Sequence, residues 1–367
     1  MTISKKQSDI FSILKGFLPI LVVALHTSFD ASLCYRDGME AFIRVLITKI
    51  GGVAVPVFFF ISGYLFFFKL QGWDWSAWKT KALKRINTLF IPYVLWVSID
   101  FIMKYVRAVL KHELPGFNIQ SLQCFFTSNG SLRFLYDRPI VEWSDSILGY
   151  AVDISKPIDA PLWYVRELIV LVLLSPVIWK TIKITSNNII AVFGILYLLN
   201  VGLPFVLISP TALFFFSAGA AFTIGGKDFL NVFHRYKVPS LAASAIFLFL
   251  SFLIIDSLWN GLIFRCFVLS NVVLVFNIIS DVVDAGRIRP NQLLTDSSFF
   301  IYAGHAVLIT EISNFLLWRI FPITTEWMAL LKVFLRPAIA VGICLLIFSI
   351  MKKICPKTLS VLTGGRG

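Results

Sequence analysis

The sequence predicts an all-α integral membrane bundle of about ten transmembrane helices, with both termini in the cytosol. Three observations carry that expectation. Apolar residues make up 58% of the chain and charged residues only 14%, with a mean hydropathy of +0.83, whereas a soluble domain carries roughly 45–50% and about 25%. The apolar residues gather into runs long enough to cross about 30 Å of hydrocarbon, which takes about 20 helical residues. The basic residues are spread unevenly over the connections. With this composition the 367 residues read as a single membrane domain, residues 1–367.

The first span, near 12–33, follows Lys5-Lys6. Signal peptides begin the same way, but no small-x-small cleavage site is present, and Leu33 precedes Cys34 where a lipoprotein signal needs a small residue. The span is therefore expected to remain in the protein. Further spans fall near 47–68, 88–110, 161–179, 188–208, 210–226, 238–256, 260–282, 297–317 and 327–350. Their breaks hold Gly72 with Trp73, Asn187-Asn188, Ser209-Pro210, Gly225-Gly226, Asn260-Gly261 and Pro322, all turn or helix-breaking signals. An even number of spans places both termini on one side. With the N-terminus inside, the cytosolic connections hold 18 Lys and Arg and the outer ones 8, although the outer set includes the longest loop, about 111–160. That bias predicts N-in and C-in.

The net charge of +13 does not point to nucleic acid, because the basic residues punctuate apolar runs instead of clustering on one face. The expected surroundings are membrane lipid. The five cysteines form no CxxC pair, so neither a disulfide framework nor a metal site is expected. The long outer loop sets Asp137, Glu142, Asp145, Asp153 and Asp159 among Tyr136, Trp143 and Tyr150. Rings that stack on sugar faces beside carboxylates that bond hydroxyls suit a carbohydrate. An interfacial aromatic belt with a solvated loop gives the same composition.

Of four histidines, His26 and His305 lie inside apolar spans, where an ionisable group is costly and usually faces a cavity or a partner. Lys15 and His26 are eleven residues apart. At 100° per residue they fall within about 20° of one helix face, about 16 Å apart along the axis. That stripe runs from the cytosolic boundary, where Lys15 can meet an anion, to the bilayer centre, where a neutral imidazole can act as a base. A snorkelling lysine and a histidine bonded to a neighbouring helix make the same pattern. His305, about 12 Å into the ninth span, can meet His26 near the midplane. In the fourth span Trp163, Arg166 and Glu167 place a cation beside an anion just inside the membrane, which suits a polar cavity. Glu311 and Arg336 lie at similar depths in the last two spans and are expected to pair with each other.

Four of these segments together resemble the type 3 acyltransferase family. They are the Lys15-x10-His26 stripe, Val55-Pro-Val-Phe-Phe-Phe-Ile-Ser-Gly-Tyr64, Leu162-Trp-Tyr-Val-Arg-Glu-Leu-Ile-Val170 and Ser298-Phe-Phe-Ile-Tyr-Ala-Gly-His305, in the same order over nearly the whole chain. The resemblance implies an integral enzyme that moves acyl groups, most often acetyl from acetyl-CoA, onto hydroxyls of cell-surface glycans, lipids or antibiotics. It implies His26 as the catalytic histidine and Lys15 as its basic partner. The family's Arg-x-x-Arg motif is matched at Arg85, but Thr88 stands at the second arginine, and Lys81 and Lys84 are candidates to supply the missing charge. The acyl donor is thus expected at Lys81, Lys84 and Arg85, and Trp163, Arg166, Glu167 and His305 are expected to line the substrate cavity.

A thioester is already activated, so transfer to an alcohol needs a base and stabilisation of the tetrahedral intermediate. Direct attack by the acceptor and relay through an acylated carrier both remain open. The expectation is an O-acetyltransferase of the inner (plasma) membrane. Its donor substrate is acetyl-CoA or another acyl-CoA, no cofactor is bound permanently, and the acceptor is a glycan or lipid-linked saccharide. The sequence holds no Walker A loop, zinc signature or GxSxG elbow, and no esterase-like domain is expected after the last span. A glycan or lipid transporter or flippase is the alternative, although no pair of repeated halves supports it.

Overall fold

The computed structural model describes residues 3–27, 38–68, 73–128, 140–142, 151–153, 157–185, 188–201, 208–255, 257–320 and 325–366. Lipid offers no partner to a bare amide, so each apolar run satisfies its backbone internally as a helix. Helix α1, Lys5–Thr27, starts at a reciprocal cap in which Gln7 N donates to Ser4 Oγ and Ser4 N to Gln7 Oε1, each at 3.1 Å. Helices α2, Met39–Gly51, and α3, Ala54–Phe67, follow one another as one span of 29 residues. Helix α4, Trp75–Leu110, is capped by Asp74 and begins well before the expected 88, so the basic stretch Lys79–Arg85 is helical.

Between α4 and the next span lie α5, Ile119–Ser128, and an antiparallel pair, β1, Ile140–Glu142, and β2, Ala151–Asp153, with Val141 opposite Val152. The outer segment read as a loop over 111–160 is therefore partly structured. Tyr136, Asp137, Trp143, Asp145 and Tyr150 lie outside the described residues. A short 3-10 turn, Ala160–Leu162, leads into α6, Trp163–Ile184. Then come α7, Asn188–Leu199; α8, Pro210–Ile224; α9, Phe229–Arg235; α10, Lys237–Leu253; and α11, Asn260–Asp284. Helix α12, Gln292–Gly304, passes through a π-helical turn, His305–Ile309, into α13, Thr310–Ile320. Helices α14, Glu326–Ile354, and α15, Pro356–Thr363, complete the order.

Among the described residues the fold is all-α apart from that antiparallel pair, and each of the ten expected runs overlaps a helix. Among the described residues six helices are long and apolar enough to cross a membrane, or up to eight if α9 with α10 and α12 with α13 each count as one bent span. The two runs that fall short are α7 and α8. Their 12 and 15 residues measure about 18 and 22 Å, less than the hydrocarbon thickness.

Helices α3 and α8 cross at van der Waals distance: a Cβ on Gly63 would strike the Phe216 carbonyl, and one on Gly219 the Phe60 carbonyl. Small residues at such crossings let backbones approach where no hydrophobic effect drives association. Phe60 beside the crossing meets Phe229 edge-on and Phe233 and Phe276 at tilted angles, at 5.4–5.5 Å. By contrast Leu241, Ile246, Phe249 and Leu253 of α10 are more than half exposed, as a lipid-facing surface requires.

Polar bonds sort the helix ends. Lys6 with Asp284, Lys237 with Asp281 and Lys352 with Asp296 join the starts of α1, α10 and α12 to the ends of α11 and α14. At the opposite face Glu326 accepts from Met39 N, and Arg107 pairs with Glu311. The expected Glu311–Arg336 pair does not form: Glu311 is taken by Arg107, and Arg336 donates to the Thr27 carbonyl at 2.6 Å. Depth along the chain alone does not tell which neighbouring helix a charge faces.

Candidate functional site

Helices α1, α3, α4, α6 and α12 enclose a cavity of about 340 Å³. Lys15 and Pro19 enter it from α1, Ser62 and Phe58 from α3, Arg85 and Leu89 from α4, Tyr164 and Leu168 from α6, and Thr295, Asp296, Ser298 and Tyr302 from α12. Arg366, just beyond α15, closes the set. Lys15, Arg85 and Arg366 form no ion pair among the described residues. The one acidic side chain in the lining, Asp296, is bonded to Lys352 at 2.9 Å and to Gln292 at 2.6 Å. Burial, and then the neighbouring Arg85 guanidinium, pull the pKa of Arg366 down to about 10. Three cations that repel one another in a partly buried space are stabilised when an anion sits between them.

The lining also carries two phenols, Tyr164 and Tyr302. Tyr164 and Ser62 hydroxyls are 3.1 Å apart, and the Tyr164 ring meets Tyr302 at 5.8 Å. The Tyr302 hydroxyl donates to the Pro161 carbonyl, which ties α12 to the entry of α6. The Tyr302 ring is 6.4 Å from His305, and the His305 ring is 5.3 Å from His26. Tyr302 on the cavity wall is thus linked by ring contacts to the paired histidines, neither of which lines the cavity itself.

His305 opens the π-helical turn, a local widening that often accompanies functional sites. Its Nδ1 lies 3.1 Å from the Ile301 carbonyl. A carbonyl only accepts, so Nδ1 carries the proton and Nε2 keeps its lone pair. That Nε2 is buried and has no hydrogen-bond partner among the described residues. The arrangement can take a proton from a hydroxyl or pass one along.

Of the residues singled out in the sequence, Lys15 and Arg85 line the cavity, while His26 and His305 lie outside its lining, with His305 in ring contact with Tyr302. Lys81 instead donates to the Phe66 and Phe68 carbonyls at 3.0 and 2.5 Å, capping the end of α3, and Lys84 is exposed. Trp163 packs on Phe59 at 6.1 Å. Glu167 accepts from Ser209 N at 3.1 Å and Ser209 Oγ at 2.7 Å, so its buried carboxylate sits at the start of α8, where the helix dipole favours it. Arg166 is buried beside it on α6. Ser62, Tyr164 and Tyr302 went unremarked, although each stands inside one of the segments that carry the family resemblance. Arg366 had no such signal and read only as one more cytosolic charge.

The chain matches an acyltransferase domain family over residues 9–350. It is similar to the succinoglycan biosynthesis protein ExoH of Rhizobium meliloti, 26% identical over 348 residues that cover 90% of this chain and 83% of that protein. No solved structure matches it significantly. The transporter alternative gives way to an enzyme. With the family matched across nearly its whole length and its helices apolar enough for several crossings, the chain belongs to the type 3 acyltransferases and is a multi-pass membrane acyltransferase for groups other than amino-acyl ones.

Proposed function

We propose that this protein is an O-acyltransferase of the inner (plasma) membrane that takes acetyl from acetyl-CoA, or acyl from another acyl-CoA, and places it on a hydroxyl of an exported or cell-surface glycan. The carrying observation is the cavity in which Lys15, Arg85 and Arg366 converge, with Tyr302 on its wall in ring contact with the His26–His305 pair. Cations suit the donor's phosphates, and a basic imidazole suits the acceptor hydroxyl. The relative's part in succinoglycan biosynthesis favours a polysaccharide or its lipid-linked precursor as acceptor.

In this reading residues 1–367 form one membrane domain of ten crossings, N-in and C-in, with the cations on the cytosolic side. The acceptor hydroxyl attacks the thioester carbonyl as His26 removes its proton. The tetrahedral intermediate then collapses, the C–S bond breaks, and the thiolate of coenzyme A recovers a proton from the imidazolium. His305, whose ring lies 5.3 Å from that of His26, orients that ring or shares its proton. Arg166 and Trp163 serve the acceptor end, while Glu167 holds α6 against α8.

Radiolabelled acetyl-CoA supplied to membranes tests this reading. Label enters the glycan fraction with the wild type and falls by at least about a hundredfold with His26→Ala, while the variant remains in the membrane at normal level. Normal transfer by that variant would sink the assignment.

A further inference from the structure

The family match ends at residue 350, yet one wall of the cavity is built by a residue beyond it. Helix α15 folds back onto α4, where Trp96 Nε1 donates to the Leu362 carbonyl at 3.0 Å. The chain then turns through Gly364 and Gly365, at φ of 62° and 74°. Gly364 presses against the Thr88 backbone so closely that a Cβ would strike the Thr88 carbonyl. Only glycine meets both the left-handed conformation and that approach. The turn directs Arg366 into the cavity, with its Nη2 3.5 Å from the Thr88 carbonyl and its guanidinium 4.9 Å from the centre of the Phe299 ring.

Position 88 is one helical turn from Arg85 and carries a threonine where the resemblance leads one to expect a second arginine. The guanidinium absent from α4 is thus present in space, supplied from 278 residues away. Its stacking on Phe299 leaves its remaining N–H groups for the cavity. A bond of 3.5 Å to one carbonyl is weak compensation for a charge held beside Arg85. A phosphate between the two guanidiniums would offset that repulsion and accept from both.

We propose that Arg366 is a donor-binding residue that completes, with Arg85 and Lys15, a clamp for a phosphate-bearing acyl thioester. This rests on the donor reading above. The clamp is recognised by comparing acetyl-CoA with acetyl-pantetheine, which has the same thioester and no phosphate. Arg366→Gln lowers the preference in kcat/KM for acetyl-CoA over acetyl-pantetheine by about tenfold or more, chiefly through KM. Arg366→Lys, which keeps the charge but not the fork, falls between the two. Adding Thr88→Arg to Arg366→Gln restores part of the preference, a rescue that a merely structural tether would not give.

An unchanged preference in Arg366→Gln, or an equal loss with both donors, overturns the proposal. If the wild type turns over neither thioester, the acyltransfer reading itself has failed, and the clamp is then read by binding alone. Coenzyme A should raise the thermal midpoint of the purified wild type but not of Arg366→Gln. No shift in either protein, or the same shift in both, overturns the clamp as well.

Discussion

Asp159 sits at the entry to α6 fully buried, and neither carboxylate oxygen has a hydrogen-bond partner among the described residues. Its surroundings are Asp100, which Lys104 pairs at 2.7 Å, and Lys104 itself, which also donates to the neighbouring Ile158 carbonyl at 2.6 Å. Burial, and then Asp100, push its pKa well above the ordinary carboxyl range against a weaker pull from Lys104. Between the unfolded value of about 3.9 and the raised folded value, the folded protein holds a proton that the unfolded chain has released. Stability is therefore fully present below the unfolded pKa and declines as pH rises through this window, by at most about 1.4 kcal/mol per pH unit from this group. Asp159→Asn removes the titration. Thermal unfolding in detergent between about pH 4.5 and 7 should show a flatter pH dependence in the variant, and parallel curves would exclude the group as the cause. At this scale the sequence spoke unevenly. Lys15 and His26 declare themselves because helical spacing alone aligns them, whereas Asp159 resembles any loop acid until the packing around it is known. Arg366 was illegible because no local pattern tells that a segment folds back over a helix hundreds of residues earlier.

Among the elements, the α3–α8 crossing holds one wall of the cavity, since α3 carries Phe58, Ser62 and Gly63 within five residues of each other. Gly63→Val drives a side chain into the Phe216 carbonyl, and backbone does not yield as a rotamer does. The expected cost is about 1–3 kcal/mol or more, seen as a lower unfolding midpoint together with lost transfer, because Ser62 and Phe58 move with the helix. At Gly342 on α14 an added Cβ meets nothing within 4 Å, and Gly342→Ala should leave the stability within about 0.5 kcal/mol. Equal effects at the two positions would contradict the packing account. The helices themselves were readable because twenty apolar residues have few other uses. What escaped was their interruption: the π-helical turn at His305 depends on how α12 packs. The early start of α4 was hidden because its first turns are basic and lie beyond the apolar run.

The arrangement of the whole molecule follows from which helix ends share a face. Lys6, Lys237 and Lys352 meet Asp284, Asp281 and Asp296 at one face, which holds both the start of α1 and the end of α14. These pairs mark which helix ends share a face, while the choice of which face meets the cytosol rests on the excess of Lys and Arg there. If that choice is right, the three cavity cations open toward the compartment that holds acyl-CoA. Two thiols make the test. Cys124 on α5 is exposed and lies beyond the end of α4, and Lys357 on α15 is exposed on the opposite face. In a protein whose other cysteines are serine, a membrane-impermeant maleimide applied to intact cells should modify Cys124. Placed on Lys357→Cys with Cys124 also replaced, it should react only after the cells are opened. The reverse pattern would turn the bundle over and put the cations on the outer side, away from any coenzyme A thioester. Labelling of both in intact cells would mean that one of the short helices, α7 or α8, does not cross, because one crossing fewer places the segments on either side of it in the same compartment.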